Sequence, residues 1–326
     1  MNCKKSILDF CESIGLDTVG FCECKVFEEL RNLFKVRKEN NIENEFEEEN
    51  TEKRINPKLL FEDGSTIISI AFPYLHSLRE EEGIYFSQYT QGKDYHKVTA
   101  KYMEQICEHI KVLGGKAEYF VDSNPLPERY IAHLSGIGFI GKNNMLITEK
   151  YGSYVFLGEI ITDLKIEADK PEERKCDECN LCLSACPTKS INCKESYPNI
   201  CLSYITQKKE IEESWFSKLN GRLFGCDSCQ KVCPYNRLAQ RSAIQEFKPL
   251  EHMRNASIEE LVYIDNSIFK EKYKLTSCGW RGKTILQRNA LINKVFLNKD
   301  LNLELKLIKS PYVIDYYHRL LKAFHL

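Results

Sequence analysis

The hydrophobic positions change period along the chain. From Lys4 to Leu16 the residues Ile7, Leu8, Cys11 and Ile14 recur at helical spacing and Gly15 closes the run, which predicts an amphipathic helix lying on a core. Thr18 to Phe21 alternates weakly, as a short strand does. Thr66 to Phe72 is a continuous apolar run ended by Pro73, the pattern of a buried strand. Tyr85 to His96 is aromatic and polar without a period, so a loop is expected there. Val98, Tyr102, Ile106, Ile110 and Leu113 then recur every three or four residues, and Gly114-Gly115 supplies a helix stop. Ala117 to Val121 reads as a strand closed by the turn chemistry of Asp122-Ser-Asn-Pro125. Pro127 opens a short helix that Gly136 ends. Tyr154 to Thr162 is a further strand, apolar enough to be covered on both faces. Strands alternating with helices make residues 1 to about 170 an α/β or α+β domain. Later stretches, Ser257 to Ile264, Phe269 to Leu275, Arg281 to Phe296 and Tyr312 to Phe324, predict short helices, with Ile285, Leu286, Leu291 and Ile292 apolar in the third. They suggest a helical-repeat layer without a visible repeat period.

Charge and composition refine this outline. At 326 residues the chain can hold two or three domains, and 43% hydrophobic with 29% charged residues is ordinary for a globular protein. The net charge of −1 conceals an asymmetry. Ser267 to Leu326 carries twelve Lys/Arg against four Asp/Glu, whereas Arg37 to Lys53 carries seven Glu against three basic residues. The basic tail suits either a phosphate backbone or a solvated helical surface. The acidic stretch predicts a mobile segment or a solvated helix. The start of the chain has no secretory apolar core, and no apolar run is long enough for a bilayer. The expectation is a cytoplasmic protein without a membrane partner.

Cysteine spacing supplies the strongest chemistry. Cys176, Cys179, Cys182 and Cys186-Pro187 form CxxCxxCxxxCP, and Cys226, Cys229 and Cys233-Pro234 form CxxCxxxCP. The first pattern directs three thiolates to one cubane and the fourth to a neighbour, so a second cluster is implied. The second run is one ligand short, a vacancy that Cys201 or Cys193 can fill. The crossed logic of two-cluster ferredoxins pairs Cys176, Cys179, Cys182 and Cys233 on one cluster, and Cys186, Cys201, Cys226 and Cys229 on the other. Zinc sites also use paired CxxC, but seldom need three close cysteines and then a Cys-Pro, twice. Seven cysteines remain among the fifteen, an odd number that speaks against a disulfide framework. Gly136-Ile-Gly138-Phe-Ile-Gly141 is formally GxGxxG, yet a helix precedes it and a strand follows. The dinucleotide-binding reading is therefore rejected in favour of close approach to another bulky ligand or a tight turn.

Several ordered segments carry a resemblance. Tyr89-Thr-Gln-Gly-Lys-Asp-Tyr-His96, Val121-Asp-Ser-Asn-Pro-Leu-Pro-Glu-Arg129, Gly138-Phe-Ile-Gly-Lys-Asn-Asn144, Gly152-Ser-Tyr-Val-Phe-Leu-Gly-Glu-Ile160, Cys201-Leu-Ser-Tyr-Ile-Thr206, Gly225-Cys-Asp-Ser-Cys-Gln-Lys-Val-Cys-Pro-Tyr-Asn236 and Gly279-Trp-Arg-Gly-Lys-Thr-Ile-Leu-Gln-Arg-Asn289 together resemble the epoxyqueuosine reductase family. The resemblance runs from about Arg54 to Asn289. It implies an α+β fold: a cobalamin-binding domain akin to that of reductive dehalogenases over 1–170, a ferredoxin-like module with two [4Fe-4S] clusters over 171–240, and HEAT-like helices that bind tRNA over 241–326. It also implies reduction of epoxyqueuosine to queuosine at the wobble position, with cobalamin fed by the clusters from an external low-potential donor, in a monomer. Removing an epoxide oxygen needs electrons that no side chain supplies, so a cofactor must bring them. By the same resemblance Asp122 is the acid at the departing oxygen. Arg54, Ser123, Asn124, Lys142, Asn143, Gly158, Ser203, Tyr204, Ser228 and Gln230 are candidate cofactor contacts, and Arg281, Lys283 and Arg288 candidate tRNA phosphate contacts. Trp280 is a candidate core residue. A reductive dehalogenase and a non-catalytic ferredoxin-type carrier are the alternatives. The C-terminal part is short for the family's repeat region.

Overall fold

Antiparallel pairing decides the fold class. In the computed structural model, which describes residues 2–78, 83–192, 196–298 and 303–323, four strands form one sheet: β1 (Val19–Glu23), β2 (Thr66–Pro73), β3 (Ala117–Phe120) and β4 (Val155–Thr162), in the order β1-β2-β4-β3. Every pair is antiparallel, so the domain is α+β rather than doubly wound. On one face lie α1 (Cys3–Ser13) and α2 (Tyr95–Val112), whose Ile7, Cys11, Met103, Ile106 and Ile110 pack on Ile68, Ile70, Phe72 and Ile160. On the other lies α3 (Glu128–Leu134), whose Ile131 packs with Ile67, Ile161 and Phe27. Coverage of both faces explains why β2 is buried at all eight positions, as its unbroken apolar sequence requires.

Two expectations from the sequence are corrected. The acidic stretch is pinned by ion pairs, although Glu39, Glu45, Glu49 and Glu52 stay exposed. The helix Arg31–Glu39 ends in a turn in which Asn41 takes φ +53°, Ile42 is buried, and Glu43 and Glu47 pair with Arg54 and Arg37. The stretch Tyr85 to His96 is not wholly loop, because Tyr85–Phe86 pairs in parallel with Arg222–Phe224. That short pairing joins the first domain to the cysteine module. Gly136 to Gly141 leads into a hairpin, Phe139–Ile140 against Leu146–Ile147. A Cβ at Gly138 would lie 2.6 Å from the Ile147 carbonyl oxygen, so this glycine lets the two backbones of the hairpin approach closely.

Beyond the cysteines, α4 (Lys283–Asn298) is almost wholly buried against α5 (Pro311–Ala323) and the segment 202–224. Its polar residues face backbone. Asn289 donates to the carbonyls of Thr206 and Leu223, and Asn293 donates to that of Arg222 while accepting from Gly221 N–H. Buried amides placed this way satisfy peptide groups that the irregular module cannot pair within itself. No helix among the described residues is long and apolar enough to cross a membrane.

Candidate active site and cluster ligands

The cysteines gather into two sets. Short helical turns at Leu181–Ala185 and Ser228–Lys231 pack on each other and carry ligands of both. Cys176, Cys179, Cys182 and Cys233 line one cavity with Asn143, Ile147 and Tyr235. Cys186, Cys201, Cys226 and Cys229 form the second set: burial pushes the Cys229 thiol well up, and the nearby Cys226, Cys201 and Cys186 sulfurs push it further. Sulfurs crowded out of water in this way call for cationic iron. Donors surround the sulfurs: Lys142 N–H to Cys176 at 3.4 Å, Arg222 Nε to Cys226 at 3.3 Å, and the Ser190 hydroxyl beside Cys186 at 3.4 Å. Cys193 lies outside the described residues.

Asp122 occupies the turn after β3. Its φ is +50°, in the left-handed region that Asp and Asn tolerate, and its side chain is 54% exposed. Its N–H donates to Glu128 Oε1 at 2.7 Å. Its Oδ2 is 3.0 Å from His96 Nε2, and His96 Nδ1 is 2.8 Å from Asp94 Oδ1. Burial disfavours the charged imidazole, but hydrogen bonds to Asp122 and Asp94 outweigh it, and the pKa is pushed up to about 9. His96 is therefore an imidazolium at neutral pH, held between two carboxylates. Burial and then the Asp122 charge raise Glu128 to about 7. Behind it the fully buried Glu159 of β4, accepting from Ser69 Oγ at 3.2 Å, is raised well above the usual carboxylate range by burial and by Glu128.

Sequence reasoning missed His96, Asp94, Glu128 and Glu159 as site residues. Two signals were available. A lone glutamate interrupts the apolar run of β4, and Asp-x-His stands at the start of a predicted helix, where Asp94 also caps the His96 N–H.

Of the candidate cofactor contacts, Ser123 and Asn124 stay beside Asp122, with Asn124 donating to Glu128 at 3.0 Å. Ser203 lies against Tyr89, whose hydroxyl is hydrogen-bonded to it and feels the charge of Asp122. The remaining candidates have other duties in this structure. Arg54 stacks on Phe34 at 3.7 Å and pairs with Glu43 and Glu47. Lys142 Nζ donates to the carbonyls of Asp177 and Cys179, behind the first cysteine set, and Asn143 lines that set's cavity. At Gly158 a Cβ would press on Met103 at 3.0 Å, so this glycine lets α2 approach the sheet. Ser228 accepts from Arg222 at 2.7 Å beside Cys226. Gln230 Nε2 donates to Tyr74, Ser153 Oγ and the Ser153 carbonyl, tying the module to the first domain. Tyr204 is buried under Phe46.

Among the candidate tRNA contacts, Arg288 is corrected outright. It is fully buried and its guanidinium donates to the carbonyls of Lys208, Lys209 and Thr206, so no phosphate can reach it. Arg288→Ala should cost about 3–5 kcal/mol by stranding these carbonyls and opening a cavity. Thermal unfolding would show the loss as a lowered midpoint. Arg281 and Lys283 remain half-buried at the surface. Trp280 is 54% exposed and is not core.

Comparison with known proteins agrees with this geometry. Residues 175–236 match the family model described as a 4Fe-4S double cluster binding domain, and residues 54–123 match that of epoxyqueuosine reductase QueG, DUF1730. The epoxyqueuosine reductase of Bacillus subtilis (strain 168) is 35% identical over 301 residues, 89% of this chain and 78% of that one. The solved epoxyqueuosine reductase from Streptococcus thermophilus superposes with a TM-score of 0.90 at 32% identity, covering 98% of this chain and 90% of that one. An epoxyqueuosine reductase crystallised with a tRNA-Tyr epoxyqueuosine-modified stem loop gives 0.89 at 31% identity, covering 97% and 88%. Similarity that reaches from the Asp122 domain through both cysteine sets into the C-terminal helices cannot come from a shared iron-sulfur segment alone, and the chain belongs to the epoxyqueuosine reductase family.

Proposed function

We propose that this chain reduces epoxyqueuosine to queuosine at the wobble position of a tRNA anticodon. The epoxide takes up two electrons and two protons, and its oxygen leaves as water. The observation that carries the reading is the solvent-facing Asp122 carboxylate, held by His96 on the side of the domain that meets the cysteine module through Tyr89 and Ser203. Cys176, Cys179, Cys182 and Cys233 hold one [4Fe-4S] cluster, and Cys186, Cys201, Cys226 and Cys229 the other. Ser203, Tyr89 and Tyr95 are the residues that would hold a cobalamin beside Asp122. Ser203 is two residues from Cys201, and Tyr89, which bonds to it, and Tyr95 both sense Asp122. Cobalamin, when bound, supplies the two electrons that no side chain can. Asp122 passes to the departing oxygen the proton it takes from His96 Nε2, while Asp94 keeps the imidazole oriented, and water supplies the second proton.

A monomer in the reducing cytoplasm, served by an external low-potential donor, suits this chemistry. The dehalogenase and carrier alternatives lose ground because the match extends beyond the cluster segment on both sides. Anaerobic reconstitution with iron, sulfide and cobalamin, then nucleoside analysis of tRNA containing epoxyqueuosine, tests the proposal. Conversion to queuosine is expected, and its absence with all cofactors bound would sink it.

The His96 relay adds a pH dependence. The histidine's pKa is raised from 6.5 to about 9, so it is an imidazolium at neutral pH and its ion pairing is lost as pH rises through about 9, while the stability that pairing contributes is full below about 6.5. Conversion should fall over the same upper limb. His96→Gln, which cannot titrate, should be slower and lack that limb in a pH–rate profile.

A further inference from the structure

Three rings from three separate stretches of chain meet at the surface. Phe46 comes from the acidic segment, Tyr204 from the turn after Cys201, and Trp280 from just ahead of α4. Phe46 stands edge-on to both others, its centroid 5.2 Å from each. Arg281 lies over Phe46 at 5.2 Å and over Trp280 at 4.7 Å. Tyr204 is buried, but Phe46 and Trp280 are 41% and 54% exposed.

Rings left half in water while held this firmly need a reason. The segment bearing Phe46 is anchored on both sides of it, by Arg54 to Glu43 and by Arg37 to Glu47 at 2.8 Å. Arg281 donates Nε to the Gln207 carbonyl at 2.7 Å, which fixes its plane across the rings. Its other end is only loosely paired, 3.7 Å from Glu45, a contact that a phosphate can replace. Lys283, two residues on, has no ion-pair partner among the described residues. The position is also telling, since Gln207 Nε2 reaches the Tyr89 hydroxyl at 3.3 Å, and Tyr89 borders the Asp122 site.

We propose that Phe46, Trp280 and Arg281 form a stacking platform for an unpaired nucleobase of the anticodon loop, next to the base that enters the Asp122 site. The inference rests on the function proposed above. A wobble base that leaves its stack deprives its neighbour of a partner, and an aromatic face with a guanidinium beside it replaces that partner whatever the base. Such stacking is worth roughly 5- to 150-fold in affinity per base.

The chain has two tryptophans, and Trp215 packs with Lys218, so Trp215→Phe leaves Trp280 as sole reporter. An RNA anticodon stem-loop carrying epoxyqueuosine is titrated into the reconstituted Trp215→Phe protein. Quenching of Trp280 emission is expected. Trp280→Ala and Phe46→Ala should each weaken hairpin binding by roughly 5- to 150-fold, with Trp280→Phe close to the parent. Unquenched emission on tight binding, or undiminished affinity in both alanine variants, overturns the platform. If the parent converts the hairpin while the variants bind as it does, the platform alone falls. If the variants lose affinity but the parent converts nothing, the platform stands and the reductase reading falls.

Discussion

Asp122→Asn should keep the fold and both clusters yet lose turnover by about 10²- to 10⁴-fold, the usual worth of a positioned general acid. Asparagine tolerates the φ of +50° as aspartate does. It can still accept from His96 through its amide oxygen, so the turn should not rearrange. What disappears is the proton carrier at the departing oxygen. The imidazolium also loses one of the two charges that stabilise it, so the His96 pKa should move down from about 9. Nucleoside analysis of epoxyqueuosine tRNA measures the turnover, and the visible absorption of the reconstituted protein reports the clusters. Parent-like conversion would remove Asp122 from the mechanism.

Cys201→Ala should have an equally large effect by a different route. The second set has four sulfurs only if Cys201 is among them, and burial together with Cys226 and Cys186 raises its thiol. Without it the second cubane loses a ligand, and bound iron should fall from about eight atoms per chain to about four. Conversion should stop, because the set nearest Ser203 and Tyr89 is the one emptied. Cys193→Ala, by contrast, should retain full iron and activity. Iron and sulfide analysis of both variants decides the matter, and the reverse outcome would transfer the ligand to Cys193.

The limits of sequence reading show at particular residues. Gln230 lies within the cysteine motif and is there a candidate cofactor contact, whereas in the fold its Nε2 donates to Tyr74 and Ser153. Gly158 is a candidate of the same kind, and in the fold its missing side chain accommodates Met103. Charge counting leaves the tail as either a phosphate face or a solvated surface, and cannot show that Arg288 is consumed by three carbonyls. The acidic stretch looked solvated because its arginine partners are not its neighbours in sequence. Arg54 reaches back to Glu43 across a turn and a short helix.

What the sequence by itself determined was local. The apolar run of β2, the glycine stops after α1 and α2, and the cysteine spacings depend on periods of a few residues, which the backbone converts directly into strand, helix end and ligand arc. What only the tertiary structure decided was convergence. His96 meets Asp122 across 26 positions, Phe46 meets Trp280, and Glu159 is buried behind Glu128. Whether a polar side chain is free to act depends on which donors and acceptors packing brings within about 3 Å, and no periodicity along the chain encodes that.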